Sequence, residues 1–99
     1  MKISFNESDI HPHLRARMQQ RGISLEDIET TINKGRDAED TKEGTAGKVF
    51  VFSFNEYWEE KYFEEKEISV YFKQKGEELI LLTAKARYGK NFLKRGDAK

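Results

Sequence analysis

The sequence contains no cysteine, and its single proline is Pro12. The lack of cysteine excludes disulfide bonds, thiolate metal sites and a cysteine nucleophile. Long hydrophobic runs are also missing. The longest purely aliphatic stretch is residues 79–82, whereas a membrane-spanning helix needs about 20 apolar residues. The N-terminus also lacks the apolar core of a signal peptide. We therefore predict a cytoplasmic protein that has no membrane partner.

No sign of charge dominates, because 18 lysines and arginines balance 18 aspartates and glutamates. The charges are nevertheless segregated along the chain. The net charge is +3 in residues 11–21, −6 in residues 37–67 and +5 in residues 85–99. The two basic segments either meet at a basic pocket or pair with the acidic segment and cancel.

The length of 99 residues predicts a single domain, 1–99, in which residues 91–99 form a frayed tail. A first helix is expected over residues 10–20, capped by Ser8 or Asp9 and ended by a left-handed Gly22. Ser24, with an acid three residues on, predicts a capping box and a second helix that runs to Gly35.

Alternating apolar residues predict strands over residues 48–55, 66–73 and 79–87, and residues 36–40 offer a short fourth strand. Residues 55–64 are unusually aromatic and either extend a hairpin or form a protruding loop. The expected fold class is α+β, in which an N-terminal helical hairpin packs on a curled antiparallel sheet of three to four strands.

Three basic residues, His13, Arg17 and Arg21, follow the i, i+4, i+8 spacing that places them on one side of a helix. Metal-independent RNA cleavage needs a base for the 2′-hydroxyl proton, cations for the phosphate and an acid for the leaving oxygen. A histidine suits proton transfer near neutral pH, and arginines clamp phosphate. The final strand adds two cations and a phenol to the same predicted cleft, namely Lys85, Arg87 and Tyr88.

The pattern His13-x3-Arg17-Met18-x2-Arg21-Gly22-Ile23 resembles the opening signature of a prokaryotic family of domains of unknown function, and residues 82–89 are similar to that family's ending. The resemblance implies a RelE/ParE-like toxin fold, related in shape to BrnT-like ribonuclease toxins. It also implies RNA as a substrate and a cognate antitoxin or another protein as a partner. The neutral net charge departs from the strongly basic character of RelE-like ribonucleases.

A structural explanation of the same residues stays open. His13 can hydrogen-bond a backbone group, and Arg17 and Arg21 can pair with Glu65 or Glu67 to fix the first helix onto the sheet.

A second function also stays open, that of a non-catalytic protein-interaction module whose contact surface is aromatic. Its candidate residues are Tyr57, Trp58, Tyr62 and Phe63. No cofactor is predicted. A metal site at His11 and His13 is not expected, because residues two apart on a helix point in different directions.

Overall fold

A computed structural model describes residues 10–76 and 78–92, without the side chains of residues 75 and 78. Two helices precede an antiparallel sheet whose strand order is β1-β2-β3-β4. The elements are α1 (Pro12–Arg21), α2 (Leu25–Lys34), β1 (Arg36–Asp37), β2 (Ala46–Trp58), β3 (Lys61–Lys75) and β4 (Glu78–Gly89). The predicted α+β class is confirmed. Neither described helix is long and apolar enough to cross a membrane.

α1 begins at Pro12, two residues later than the sequence predicts, because His11 is its N-cap. The ring nitrogen Nδ1 of His11 accepts a hydrogen bond from the backbone N–H of His13 at 3.1 Å. The predicted caps Ser8 and Asp9 lie outside the described residues. The helix ends as predicted at a left-handed Gly22, with φ 70°.

α2 begins at the predicted capping box. The Ser24 hydroxyl accepts from the N–H of Asp27 at 3.0 Å, and the N–H of Ser24 donates to the Asp27 carboxylate at 3.1 Å. The helix stops at Gly35, which has an extended backbone with φ −77°. Glycine is needed there for space, because a Cβ would clash with the carbonyl oxygen of Thr31 and would lie 2.6 Å from that of Val49.

Both helices cover the same face of the sheet, called here the helix face. α1 packs on β4, and α2 packs across β2 and β3. Successive strand residues point to opposite faces, so the core takes alternate positions of each strand and leaves the others on an open face. The core comprises Ile10, Leu14, Met18, Ile23, Ile28, Ile32, Ile68, Val70, Phe72 and Ala84.

The aromatic segment extends the β2–β3 hairpin, which decides between the two alternatives that the sequence left open. A bulge between Ser53 and Glu56 interrupts the pairing, and Asn55 has a positive φ of 49° there. The strands then pair again up to a two-residue loop at Glu59 and Glu60, whose φ angles are 51° and 73°. Two-residue hairpin loops of this kind favour Asn-Gly over two glutamates.

Replacing Glu60 by glycine is expected to stabilise the protein by about 1 kcal/mol, because a residue with a Cβ loses free energy at positive φ. The free energy of unfolding from urea denaturation measures the effect. The matched control is Glu56→Gly in the adjoining strand, which is expected to destabilise by up to about 1 kcal/mol. Equal destabilisation by both variants would contradict the turn geometry.

Candidate functional site

The carboxyl end of α1 is fixed to β4 by two hydrogen bonds to backbone carbonyls. Arg21 Nη1 donates to the carbonyl oxygen of Ala84 at 2.6 Å, and the Tyr88 hydroxyl donates to the carbonyl oxygen of Arg21 at 2.5 Å. The last carbonyls of a helix have no donor within the helix, so Tyr88 satisfies one of them. The alternative in which Arg21 pairs with Glu65 or Glu67 is not found among the described residues, where its guanidinium donates to the β4 backbone.

Lys66 joins the same helix end to α2. Its ammonium group donates to the carbonyl oxygen of Gly22 at 2.6 Å and to the carboxylate of Asp27 at 3.2 Å. The residue is only 8% exposed, and its ammonium also lies 5.4 Å from the ring centroid of Phe54. As strict alternation predicts, Lys66 shares the helix face with Ile68. Its charge is therefore paired inside the fold.

Trp58 and Tyr88 close this cluster from the hairpin side. Their rings are stacked, with centroids 5.0 Å apart and an interplanar angle of 14°. A Cβ at Gly22 would lie 2.7 Å from the Tyr88 hydroxyl and 2.8 Å from the Trp58 ring. We call this set of contacts the helix-end cluster; its members are Arg21, Gly22, Asp27, Trp58, Lys66 and Tyr88.

Burial raises the pKa of Tyr88 to about 12, and the negative charges of Asp27 and Glu59 act in the same direction. The phenol therefore stays protonated at neutral pH and serves as a hydrogen-bond donor. Because its proton is already directed at the carbonyl of Arg21, Tyr88 acts in packing and helix termination.

His13 and Arg17 are exposed on α1. The His13 ring stacks on His11, with centroids 5.4 Å apart and an interplanar angle of 4°. Within residues 10–76 and 78–92, the His13 side chain makes no hydrogen bond to a backbone group, whereas its backbone N–H donates to the His11 ring. Among the described residues, no ion pair holds Arg17, so the alternative in which it pairs with Glu65 or Glu67 is not found there.

A second set of polar residues lies on the open face of the sheet, around Glu67. This carboxylate is only 6% exposed. Arg87, its cross-strand partner, donates through Nε to Oε1 at 2.9 Å. Oε2 lies 3.6 Å from Nη2 of Arg36, which is an ion-pair distance longer than a good hydrogen bond. The Glu67 carboxylate therefore lies between two guanidinium groups, and its Oε2 is held less tightly than its Oε1.

A groove of about 440 Å³ opens above Glu67, and we call it the sheet-face groove. The segment after β1 forms one wall, where the hydroxyl of Tyr71 donates to both carboxylate oxygens of Asp40 at 2.9 and 3.1 Å. Burial, followed by Asp40, raises the pKa of Tyr71. The ammonium of Lys85 lies 5.2 Å from the Tyr71 ring centroid. The groove thus combines three cations, three carboxylates and a phenol, namely Arg36, Lys85 and Arg87, Glu39, Asp40 and Glu67, and Tyr71.

The structure divides the six residues predicted from the sequence among three places. Arg87 and Tyr88 are neighbours on one strand and therefore point to opposite faces. The prediction that all six line one cleft is wrong for this reason. His13 and Arg17 lie exposed on α1. Arg21 and Tyr88 belong to the helix-end cluster. Lys85 and Arg87 line the sheet-face groove.

Sequence reasoning missed two groove residues, Glu67, which is the acid that pairs with Arg87, and Arg36, which is the third cation. A signal for Glu67 existed, because pairing β3 with β4 places Glu67 directly opposite Arg87, and opposite charges at such positions attract each other. Arg36 gives no such signal, because its approach to Glu67 depends on the pairing of β1 with β2. No three histidine, aspartate or glutamate side chains come together in metal-binding geometry within the described part of the chain.

A comparison with protein-family models matches residues 10–86 to DUF4258, described as a domain of unknown function. The chain belongs to the DUF4258 family. Neither the curated proteins nor the solved structures contain a match. The predicted membership of a family of unknown function is thus confirmed, and the DUF4258 match covers every element from α1 to most of β4.

Gly22→Ala is expected to destabilise the protein by more than about 2 kcal/mol, because it adds a clash with Tyr88 and Trp58 to the free-energy loss of a left-handed alanine. Gly44→Ala is the matched control, since Gly44 has φ 84° and a Cβ added there would meet open space. It should lose only about 1 kcal/mol. Equal losses in urea denaturation would show that the helix-end cluster leaves room at Gly22.

Tyr88→Phe is expected to make the free energy of unfolding less dependent on pH in the alkaline range. The folded pKa is about 12 and the unfolded pKa is about 10, so the unfolded state loses this proton first. The stability that Tyr88 contributes is complete below about pH 10 and is lost as pH rises towards about 12. Urea denaturation between pH 9 and pH 11 should show a steeper decline for wild type; identical slopes would contradict the raised pKa.

Proposed function

We propose that the protein cleaves RNA without a metal ion and that the reaction takes place in the sheet-face groove. One observation carries the proposal: the Glu67 carboxylate lies between Arg36 and Arg87 at the floor of an open groove, with Lys85 also lining it. This arrangement offers a proton acceptor beside three cations. It therefore meets two of the three requirements for cleavage next to a 2′-hydroxyl, namely the base and the cations that hold the phosphate.

In the proposed reaction, Glu67 accepts the proton of the 2′-hydroxyl while the 2′-oxygen attacks the neighbouring phosphorus. The bond from phosphorus to the 5′-oxygen breaks, which gives a 2′,3′-cyclic phosphate and a 5′-hydroxyl. The Tyr71 hydroxyl, which donates to Asp40 in the structure, turns to the 5′-oxygen in the proposed reaction and supplies its proton. Exchange with water restores both groups.

The cations hold the phosphate and the charge that develops on it. A guanidinium group can bond two phosphate oxygens at once, whereas an ammonium acts as a compact charge. Arg87 is suited to this role because its side chain is 68% exposed even while it pairs with Glu67. Lys85 and Arg87 keep the role that the sequence predicts, and His13, Arg17, Arg21 and Tyr88 have no contact with the reacting phosphate in this proposal.

We further infer a RelE/ParE-like fold and the role of a toxin neutralised by a cognate antitoxin. Support comes from the order of the elements, a helical pair before an antiparallel sheet, together with the sequence resemblance described above. The balanced net charge favours an RNA substrate that is held locally in the groove over broad electrostatic docking on ribosomal RNA.

Cleavage of a short single-stranded RNA in the presence of EDTA tests the proposal. Glu67→Gln is expected to lower the rate by about 10²- to 10⁴-fold, because the amide cannot accept the proton. Lys85→Gln should weaken cleavage as well. Lys73→Gln is the matched control: it removes one exposed cation from the same sheet and should leave the rate unchanged. An RNA with a 2′-deoxy linkage should resist cleavage.

His13→Ala distinguishes the groove from the exposed surface of α1 and is expected to cleave at the wild-type rate. Circular dichroism of each variant verifies that it is folded. No cleavage by wild type, or equal rates for wild type and Glu67→Gln, would overturn the proposal. A loss confined to His13→Ala would move the reaction to α1.

A further inference from the structure

We propose that the far end of the β2–β3 hairpin is a docking surface for an arginine-rich segment of another protein. We call residues 56–64 the hairpin tip. Docking at the hairpin tip is independent of RNA cleavage, because the tip lies apart from the sheet-face groove and carries a net negative charge.

The tip presents two exposed tyrosine rings. Tyr57 is 71% exposed and Tyr62 is 53% exposed, the two highest values among the exposed large apolar and aromatic side chains of the described residues. They are cross-strand partners whose ring centroids are 5.4 Å apart at an interplanar angle of 73°. Trp58 is not part of this exposed pair, because it stacks on Tyr88. Rings left in water on a paired strand are typical of a contact surface.

The tip is also strongly acidic, since four glutamates and one lysine give it a net charge of −3. All five are exposed: Glu56, Glu59, Glu60, Lys61 and Glu64. None of the four glutamates belongs to an ion pair with another described residue, whereas Asp27, Asp37 and Glu67 do. The tip therefore holds negative charge that the fold does not neutralise.

Exposed rings and unpaired carboxylates together select a cationic partner. A guanidinium group stacks on a tyrosine ring through cation–π attraction and can bond a carboxylate at the same time. The negative charge repels an RNA backbone and repels the tip of a second copy of the chain. An arginine-rich protein segment fits both features, and arginine fits them better than lysine.

The tip is ordered before any partner arrives. The Trp58–Tyr88 stack ties it to β4 and to the end of α1, and the strands stay paired up to the turn. A docking surface that is already formed loses little conformational freedom on binding. The helix-end cluster thus holds the docking surface in place.

Fluorescence anisotropy with two labelled probes, an alternating Arg-Gly peptide and the matching Lys-Gly peptide, tests the proposal. Wild type should prefer the arginine peptide by about two- to five-fold per ring engaged. Tyr57→Leu with Tyr62→Leu should abolish this preference, because leucine is apolar without a π face. The double variant Glu59→Gln with Glu60→Gln should weaken the binding of both peptides. The control is Glu26→Gln with Glu43→Gln, which removes two exposed charges elsewhere and should leave the binding of both peptides unchanged.

Three outcomes would overturn the proposal. One is the absence of an arginine preference in wild type. Another is equal weakening by the tip pair and the control pair, which would assign binding to overall charge. The third is a dimer in sedimentation analysis that the tyrosine variants dissociate, which would assign the tip to a second copy. Cleavage of RNA by the tyrosine variants should equal that of wild type whichever result is found.

Discussion

The fold depends on one buried ammonium group. Lys66 is on β3, yet it donates both to the carbonyl of Gly22 at the end of α1 and to the carboxylate of Asp27 in the first turn of α2. Asp27 in turn closes the capping box with Ser24. A charge this deeply buried is tolerated only while its partners stay in place, so this contact fixes the turn between the helices and the position of both on the sheet.

The two faces of the sheet consequently serve different purposes. On the helix face, Arg21 and Tyr88 satisfy backbone groups, and the motif that suggested phosphate binding is used there to end a helix and attach it to β4. On the open face, Arg36, Glu67 and Arg87 surround a groove that solvent can enter. The groove therefore lies on the opposite face of the sheet from the contacts that hold the helices.

Local rules predicted the helices well, because Gly22 and the Ser24 capping box act through neighbouring residues alone. The shared face of Lys66 and Ile68 follows from the same kind of rule. The six residues predicted for one cleft do not share it, because successive residues of a strand point to opposite faces, which separates Arg87 from Tyr88. Pairings between distant elements, such as that of Arg36 with Glu67, depend on the register of β1 on β2 and of β2 on β3, and no local pattern in the sequence encodes that register.

The proposed reaction requires RNA to bind at the open face of the sheet. The most direct measurement is the change in backbone amide chemical shifts when the ¹⁵N-labelled protein is titrated with a short 2′-O-methyl RNA, which binds without being cleaved. If RNA binds in the sheet-face groove, the largest changes should cluster around Arg36, Glu67 and Arg87. Changes centred on His13 and Arg17 of α1, with none on β3 or β4, would contradict it.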